Sequence, residues 1–256
     1  MKKIISILFL CIFFLNTAPI YSLESRQKLF QESLELTSKG DFDQALTKWD
    51  LYLNDFPEDA AALSNRGNIR LVLGDPKGAI HDQDEAINLN SDELDPYINR
   101  GIAEEALGLW LEAKKDYVFV ISKDKHNFSA LYNLANVEGS MSNWLIARDL
   151  FSRAAEYNPG FPMARSSMAL ADYELGNYDQ SENELRKLIR KYPTFADARA
   201  ALTALQWRKG KNGEAESNWI AASELDSRYS QKEWLLDARR WPQEPIKDLM
   251  QFISLK

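Results

Sequence analysis

The feature that most constrains this chain is a period. Glycines 40, 74 and 108 stand 34 residues apart, and Ala45, Ala79 and Ala113 follow each of them at the same offset. Advancing by the same step gives Ser142, Gly176 and Gly210, followed by Ala147, Ser181 and Ala215. The register never slips. Six contiguous units result: 26–59, 60–93, 94–127, 128–161, 162–195 and 196–229. A fixed period of a few tens of residues marks an array in which no unit buries its apolar face alone, so stability comes from stacking neighbours.

Numbering each unit from 1 to 34, position 8 is always small: Ser33, Gly67, Gly101, Ala135, Ala169 and Thr203. Position 20 is small too, and position 24 is mostly bulky: Trp49, Gln83, Tyr117, Phe151, Leu185 and Trp219. Proline fills position 32 in three units, as Pro57, Pro159 and Pro193. The pattern predicts two antiparallel helices per unit. Small residues at 8 and 20 let the helices approach, and the bulky residue at 24 fills the gap between units. Glycine at 15 ends the first helix, because glycine takes the left-handed C-terminal conformation without strain. Proline at 32 stops the second.

These positions resemble the tetratricopeptide repeat, a 34-residue helix–turn–helix unit. The resemblance implies an all-α fold: a right-handed superhelical solenoid of twelve helices with C-terminal capping helices. It also implies a non-catalytic protein-interaction scaffold. Residues 230–256 fall outside the period. Ser230 and Glu233 read as a capping box opening a helix through Trp234 and Leu235, and Pro242 as its break. Pro245 then starts a second helix carrying Ile246, Leu249, Met250 and Ile253 on one face. This tail is expected to cap the apolar end of the last repeat. A docking role for Arg239, Arg240 and Trp241 is the alternative.

The N-terminus reads as a processing signal. Lys2 and Lys3 precede an apolar run from Ile4 to Leu15, and a short polar region ends at Ser22. This run of 12 residues, with Ser6 inside it, is shorter than the ~20 a bilayer requires. Cleavage after Ser22 is expected, with an uncleaved anchor as the alternative and membrane contact only in that case. Removing residues 1–22 takes away Cys11 with the two lysines, leaving a cysteine-free chain of 29 basic and 38 acidic residues. That suits an oxidising, exported compartment. The acidic balance argues against a nucleic-acid partner.

Catalytic chemistry is hard to find. There is no phosphate-binding glycine loop and no nucleophile elbow. His81 and His126 have no serine or carboxylate constellation, and no set of metal ligands or cofactor motif stands out, so no metal, cofactor or small-molecule substrate is expected. Asn127-Phe128-Ser129 fits a glycosylation sequon, a pattern frequent by chance.

Two regularities remain. Asn65-Arg66-Gly67 recurs as Asn99-Arg100-Gly101, and Asp82 and Asp116 follow the two arginines by 16 residues. An arginine at position 7 faces the partner helix and needs a countercharge, so Arg66–Asp82 and Arg100–Asp116 are expected to join the two helices of a unit. The second regularity is polar. Asn65, Asn99 and Asn133 at position 6, with Asn68 and Asn136 at position 9, share one face of the first helix. With Tyr132, Tyr173 and Trp207 they predict a concave groove for a protein or an extended peptide segment. The same asparagines are also a habit of this repeat type. Lysines or arginines that grip a carboxylate tail at positions 2, 5 and 6 are missing: Ala61, Ser64 and Asn65 stand there, with Asp95 and Asp197 in other units.

The Asn-Arg-Gly units resemble tetratricopeptide proteins abundant in cyanobacteria. The signal, the six repeats and the Arg239-Arg240-Trp241-Pro242 ending are similar to a plastid-lumen tetratricopeptide family. That resemblance implies a thylakoid-lumen protein assisting assembly of a photosynthetic complex. A periplasmic envelope-assembly factor and an accessory subunit of an enzyme are the rivals.

Overall fold

A computed structural model describes residues 23–255. The proposed signal segment, residues 1–22, lies outside the described residues. Twelve helices follow one another in six antiparallel pairs. The first three pairs are α1 (Leu23–Lys39) with α2 (Phe42–Asp55), α3 (Ala60–Val72) with α4 (Pro76–Leu89), and α5 (Asp95–Ala106) with α6 (Trp110–Lys123). The last three are α7 (Phe128–Ser140) with α8 (Trp144–Tyr157), α9 (Pro162–Glu174) with α10 (Tyr178–Lys191), and α11 (Ala196–Arg208) with α12 (Asn212–Leu225). A short 3-10 turn, Ser227–Ser230, leads to α13 (Lys232–Asp237) and α14 (Gln243–Ser254). Among the described residues there is no strand, and no helix is long and apolar enough to cross a membrane.

Local chemistry explains the pairing. The turn glycines 40, 74, 108, 176 and 210 all have φ between 71° and 85°, a region that costs other residues steric strain. Ser142 occupies the equivalent turn of the fourth pair at φ 63°. Asp59, Asp75 and Asn127 cap α3, α4 and α7 by accepting from backbone N–H groups. Asn127, the sequon asparagine, therefore serves as a helix cap. Close approach is visible at position 8: a Cβ on Gly101 would come within 2.7 Å of the Tyr117 ring.

Each helix packs on the next. In addition α3 touches α5, α5 touches α7, and α9 touches α11. The odd-numbered helices therefore lie along the shorter, inner circumference of the curve, and the even-numbered ones outside.

The tail caps the last repeat from its inner side. Helix α14 packs chiefly on α11 and also on α9, both inner helices. It fills the concave face of the last two repeats instead of extending the stack. Ser230 is no capping residue: it ends the 3-10 turn, and its hydroxyl donates to the carbonyl of Ser227. Gln231 stands at the N-cap of α13 without a side-chain cap bond. The apolar face of α14 is built from Ile246, Leu249 and Phe252, all buried.

Candidate functional site

The inner face has two parts. Over repeats 2 and 3 it is open. Asn65, Asn68 and Asn99, with Ser64, line a cleft of about 400 Å³ between α3 and α5. Their amides are half committed: Asn65 Nδ2 donates to the Ala61 carbonyl at 2.8 Å, and Asn99 Nδ2 to Ser64 Oγ at 3.3 Å. Asn68 Oδ1 accepts from Gln83 Nε2 at 3.1 Å. Asn133 and Asn136 lie at the equivalent positions of α7 and are partly exposed. Tyr132 is partly buried. Its ring packs edge-on to Phe161 at 5.0 Å, and its hydroxyl stands 3.5 Å from Ser167 Oγ.

Over repeats 5 and 6 the expected groove does not exist, because α14 occupies it. Tyr173 has no exposed surface, and its hydroxyl donates to Asp248 of α14. Trp207 packs on Phe252 of α14 at 5.8 Å between ring centres. Tyr173 is closed to a partner, and Trp207 stays only partly exposed beside α14. Periodicity correctly put them on the inner face, but it says nothing of a helix outside the period that returns to cover them.

The tail residues proposed for docking are spent within the chain. Trp241 is buried, and its indole N–H donates to Asp197 Oδ1 at 3.1 Å. Arg239 donates to the same oxygen from Nε and Nη2. Tyr229 and Ser166 complete the cluster by donating to Asp197. Burial opposes the charge of Asp197, but Arg239 and the two hydroxyls outweigh it and hold the carboxyl below its usual range. Arg240 crosses to repeat 3, where it pairs with Glu105 and lies 5.6 Å from the centre of the Trp110 ring.

The two arginine pairs lie between the paired helices. Arg66 donates to Asp82 from Nε and Nη2 at 2.9 and 2.7 Å, and Arg100 meets Asp116 in the same bidentate way at 2.7 Å twice. Each arginine has a second carboxylate that sequence reasoning missed. Arg66 Nη1 reaches Asp50, and Arg100 Nη1 reaches Asp84, both on the preceding repeat. Each lies 16 residues before its arginine, so a symmetric search around the arginine would have found it. Arg70 also donates to Asp82. Arg66 and Arg100 thus bind their own repeat to the one before.

Glu104 is an inner-helix acid with no salt bridge among the described residues. It is 8% exposed, and its Oε2 has no hydrogen-bond partner among the described residues. Burial, with Asp116 close by, pushes its carboxyl up to about 7 despite Arg100. His81 and His126 are exposed, and no metal-ligating cluster occurs among the described residues.

Tetratricopeptide repeat family models match residues 30–96 and 146–216. A FAM10 family protein of Arabidopsis thaliana is 33% identical over 85 residues, which is 33% of this chain and 19% of that protein. The chain thus spans about a fifth of that relative's length. A tetratricopeptide repeat protein from Parabacteroides merdae superposes with a TM-score of 0.64 at 22% identity, over 90% of this chain and 99% of the other. YrrB, a tetratricopeptide protein with an unusual peptide-binding site, superposes at 0.55 with 19% identity, over 75% and 97%. At these identities the two structures share the fold. The unbroken period, the six helix pairs and the two family matches agree: the chain belongs to the tetratricopeptide repeat family.

Proposed function

We propose that this protein is a non-catalytic scaffold that binds an extended segment of a partner protein along the inner face of repeats 2 to 4. The observation that carries the reading is the asymmetry of that face. The asparagine-lined cleft stays open on α3 and α5, while the chain's own α14 fills the equivalent surface on α9 and α11. A side-chain amide offers both a donor and an acceptor, which matches what a peptide unit presents. Such contacts read main chain more than sequence. Each contributes about 0.5–1.5 kcal/mol net, so several must act together. YrrB, with its peptide-binding site on the same fold, is consistent with this use of a solenoid.

The reading extends to an exported compartment, either thylakoid lumen or periplasm. It is supported by the basic head and apolar run of residues 1–22 and by the absence of cysteine after them. The partner is then a subunit of a photosynthetic complex under assembly or, in the second reading, an envelope component. N-terminal sequencing of the exported protein is expected to begin at Leu23. Selection of a decapeptide from a random phage library, followed by calorimetry, tests the groove. Replacing Asn65, Asn99 and Asn133 together by alanine should weaken the selected peptide at least tenfold with the circular dichroism unchanged. Unchanged affinity in the folded variant would move the site to the convex face.

A further inference from the structure

Where the tail turns into the inner face, it closes a second and larger cleft of about 600 Å³ against the C-terminal ends of α5, α7 and α9. Three indoles, Trp110, Trp144 and Trp241, and three carboxylates, Glu105, Glu174 and Asp237, line it together with Arg240. We propose that this cleft receives an arginine side chain of the partner peptide that lies on the asparagines. The proposal rests on the groove reading above and adds to it the chemistry of one partner residue.

The chain itself shows what the walls accept. Arg240 sets its guanidinium over Trp110 and donates to Glu105, so the site already holds one cation between an indole and a carboxylate. Arg240 is held there with φ 52°, a conformation bulky residues avoid, so its neighbours over-determine its placement. One guanidinium does not balance three acids. Glu105 is fully used, by Arg240 on one oxygen and by the Tyr117 hydroxyl on the other. Glu174 and Asp237 have no salt-bridge partner among the described residues. Glu174 accepts only the Glu244 backbone N–H, and burial raises its carboxyl above the usual range. Trp144 is seated against the backbone of α7, where a Cβ on Gly139 would come within 2.7 Å of its ring.

Geometry ties the cleft to the groove. Asn99 and Glu105 lie on the same helix six residues apart, about 9 Å along its axis. Asn136 and Gly139 are one turn apart on α7. A chain extended across the asparagines therefore lies about 9 Å, along the axis of α5, from the residues that line the cleft. Guanidinium suits the walls better than ammonium, because it is planar, stacks on indole and donates twice to one carboxylate.

The test follows the tryptophan indole N–H resonances of the full protein during titration. The probes are a capped decapeptide of alternating glycine and serine with one central arginine, the same peptide with citrulline, and N-acetylarginine amide. The arginine peptide should bind at least tenfold tighter than its citrulline twin, and the Trp144 resonance should move. The Glu174→Gln/Asp237→Asn double variant should bring the two peptides to equal affinity. Equal affinity of both peptides for the parent protein would overturn the cleft and leave the groove standing. A preference for arginine that survives in the double variant would also overturn it. Free N-acetylarginine amide binding as tightly as the arginine peptide would make this a small-cation site and refute the peptide as its occupant. Binding of neither peptide would defeat both readings.

Discussion

The junction of repeats 2 and 3 and the junction of repeats 5 and 6 are built from the same 34-residue template by opposite means. At the first, position 24 holds Gln83 instead of a large apolar residue, and its Oε1 is buried without a partner among the described residues. Charge supplies the cohesion: Arg66, Arg70 and Arg100 knit four aspartates across three helices. At the second, Leu185, Leu202 and Leu205 join Trp241, Ile246 and Leu249 of the tail in one apolar cluster. Helix α11 is buried on nearly every side. The difference teaches where binding has room. A polar junction leaves its inner face wet and open, whereas an apolar one must be covered, and here the chain covers it with its own helix.

The largest expected effect contrasts the two anchoring carboxylates. Asp197 and Asp82 are both wholly buried, but their cations differ. Arg239 is 13% exposed, whereas Arg66 and Arg70 are 17% and 25% exposed, and Arg66 has Asp50 in reserve. Asp197→Ala strands a buried guanidinium together with the Tyr229 and Trp241 donors, at about 3–5 kcal/mol. Asp82→Ala should cost about 2 kcal/mol, because water and Asp50 compensate. Urea unfolding monitored by circular dichroism measures both. Equal losses would mean that the polar junction is as dry as the apolar one.

Much of this was legible from the sequence, and for a physical reason. A period fixes everything that repeats: the helix pairs, the turn glycines, the small residues at 8 and 20, and the pairing of Arg66 with Asp82. What does not repeat has no register to read. The amphipathic pattern of α14 announced a buried face, yet nothing in it named α9 and α11 as the surface beneath. Tyr173 and Trp207 were placed on the groove for that reason. Asp197 was weighed only as a residue that spoils a carboxylate clamp. Its part as the anchor of Ser166, Tyr229, Arg239 and Trp241 arises from contacts spanning 31 to 44 residues.

A smaller effect tests whether the polar junction carries a cost that depends on pH. Glu104 has its carboxyl raised to about 7, so the folded state holds a proton that the unfolded chain releases near 4.5. Stability from this group is fully present below about pH 4.5 and is lost as pH rises through about 7. Glu104→Gln removes the titration. Its urea midpoint should match the parent at pH 4.5 and exceed it at pH 8 by the equivalent of about 1–3 kcal/mol. Comparing variant with parent cancels the other acids whose carboxyls are raised, Glu105 and Glu174. Parallel pH curves would show that Glu104 is solvated and the junction pays nothing for it.

The smallest effect asks whether the two halves differ in their turns as well as in their junctions. Ser142 alone among the six equivalent turn positions is not glycine, and it takes φ 63° between the open half and the covered half. Its backbone N–H donates to the Gly139 carbonyl at 2.8 Å, a bond that glycine would keep. Serine in the left-handed region costs about 1–2 kcal/mol, and glycine recovers that strain while losing roughly 0.5–1 kcal/mol through the freer unfolded chain. Ser142→Gly should therefore gain about 0.5 kcal/mol. The reverse change one repeat on, Gly176→Ser, replaces a glycine at φ 81° with open space around its missing Cβ, so only backbone strain opposes it. It should cost about 0.5 kcal/mol. Denaturation midpoints of both variants against the parent measure the pair. Shifts equal in size and opposite in sign would show that the turns are interchangeable, leaving the tail and the arginine network as the sources of the asymmetry. A much larger loss at Gly176 would instead show that the turn itself is held more tightly where α14 covers the inner face.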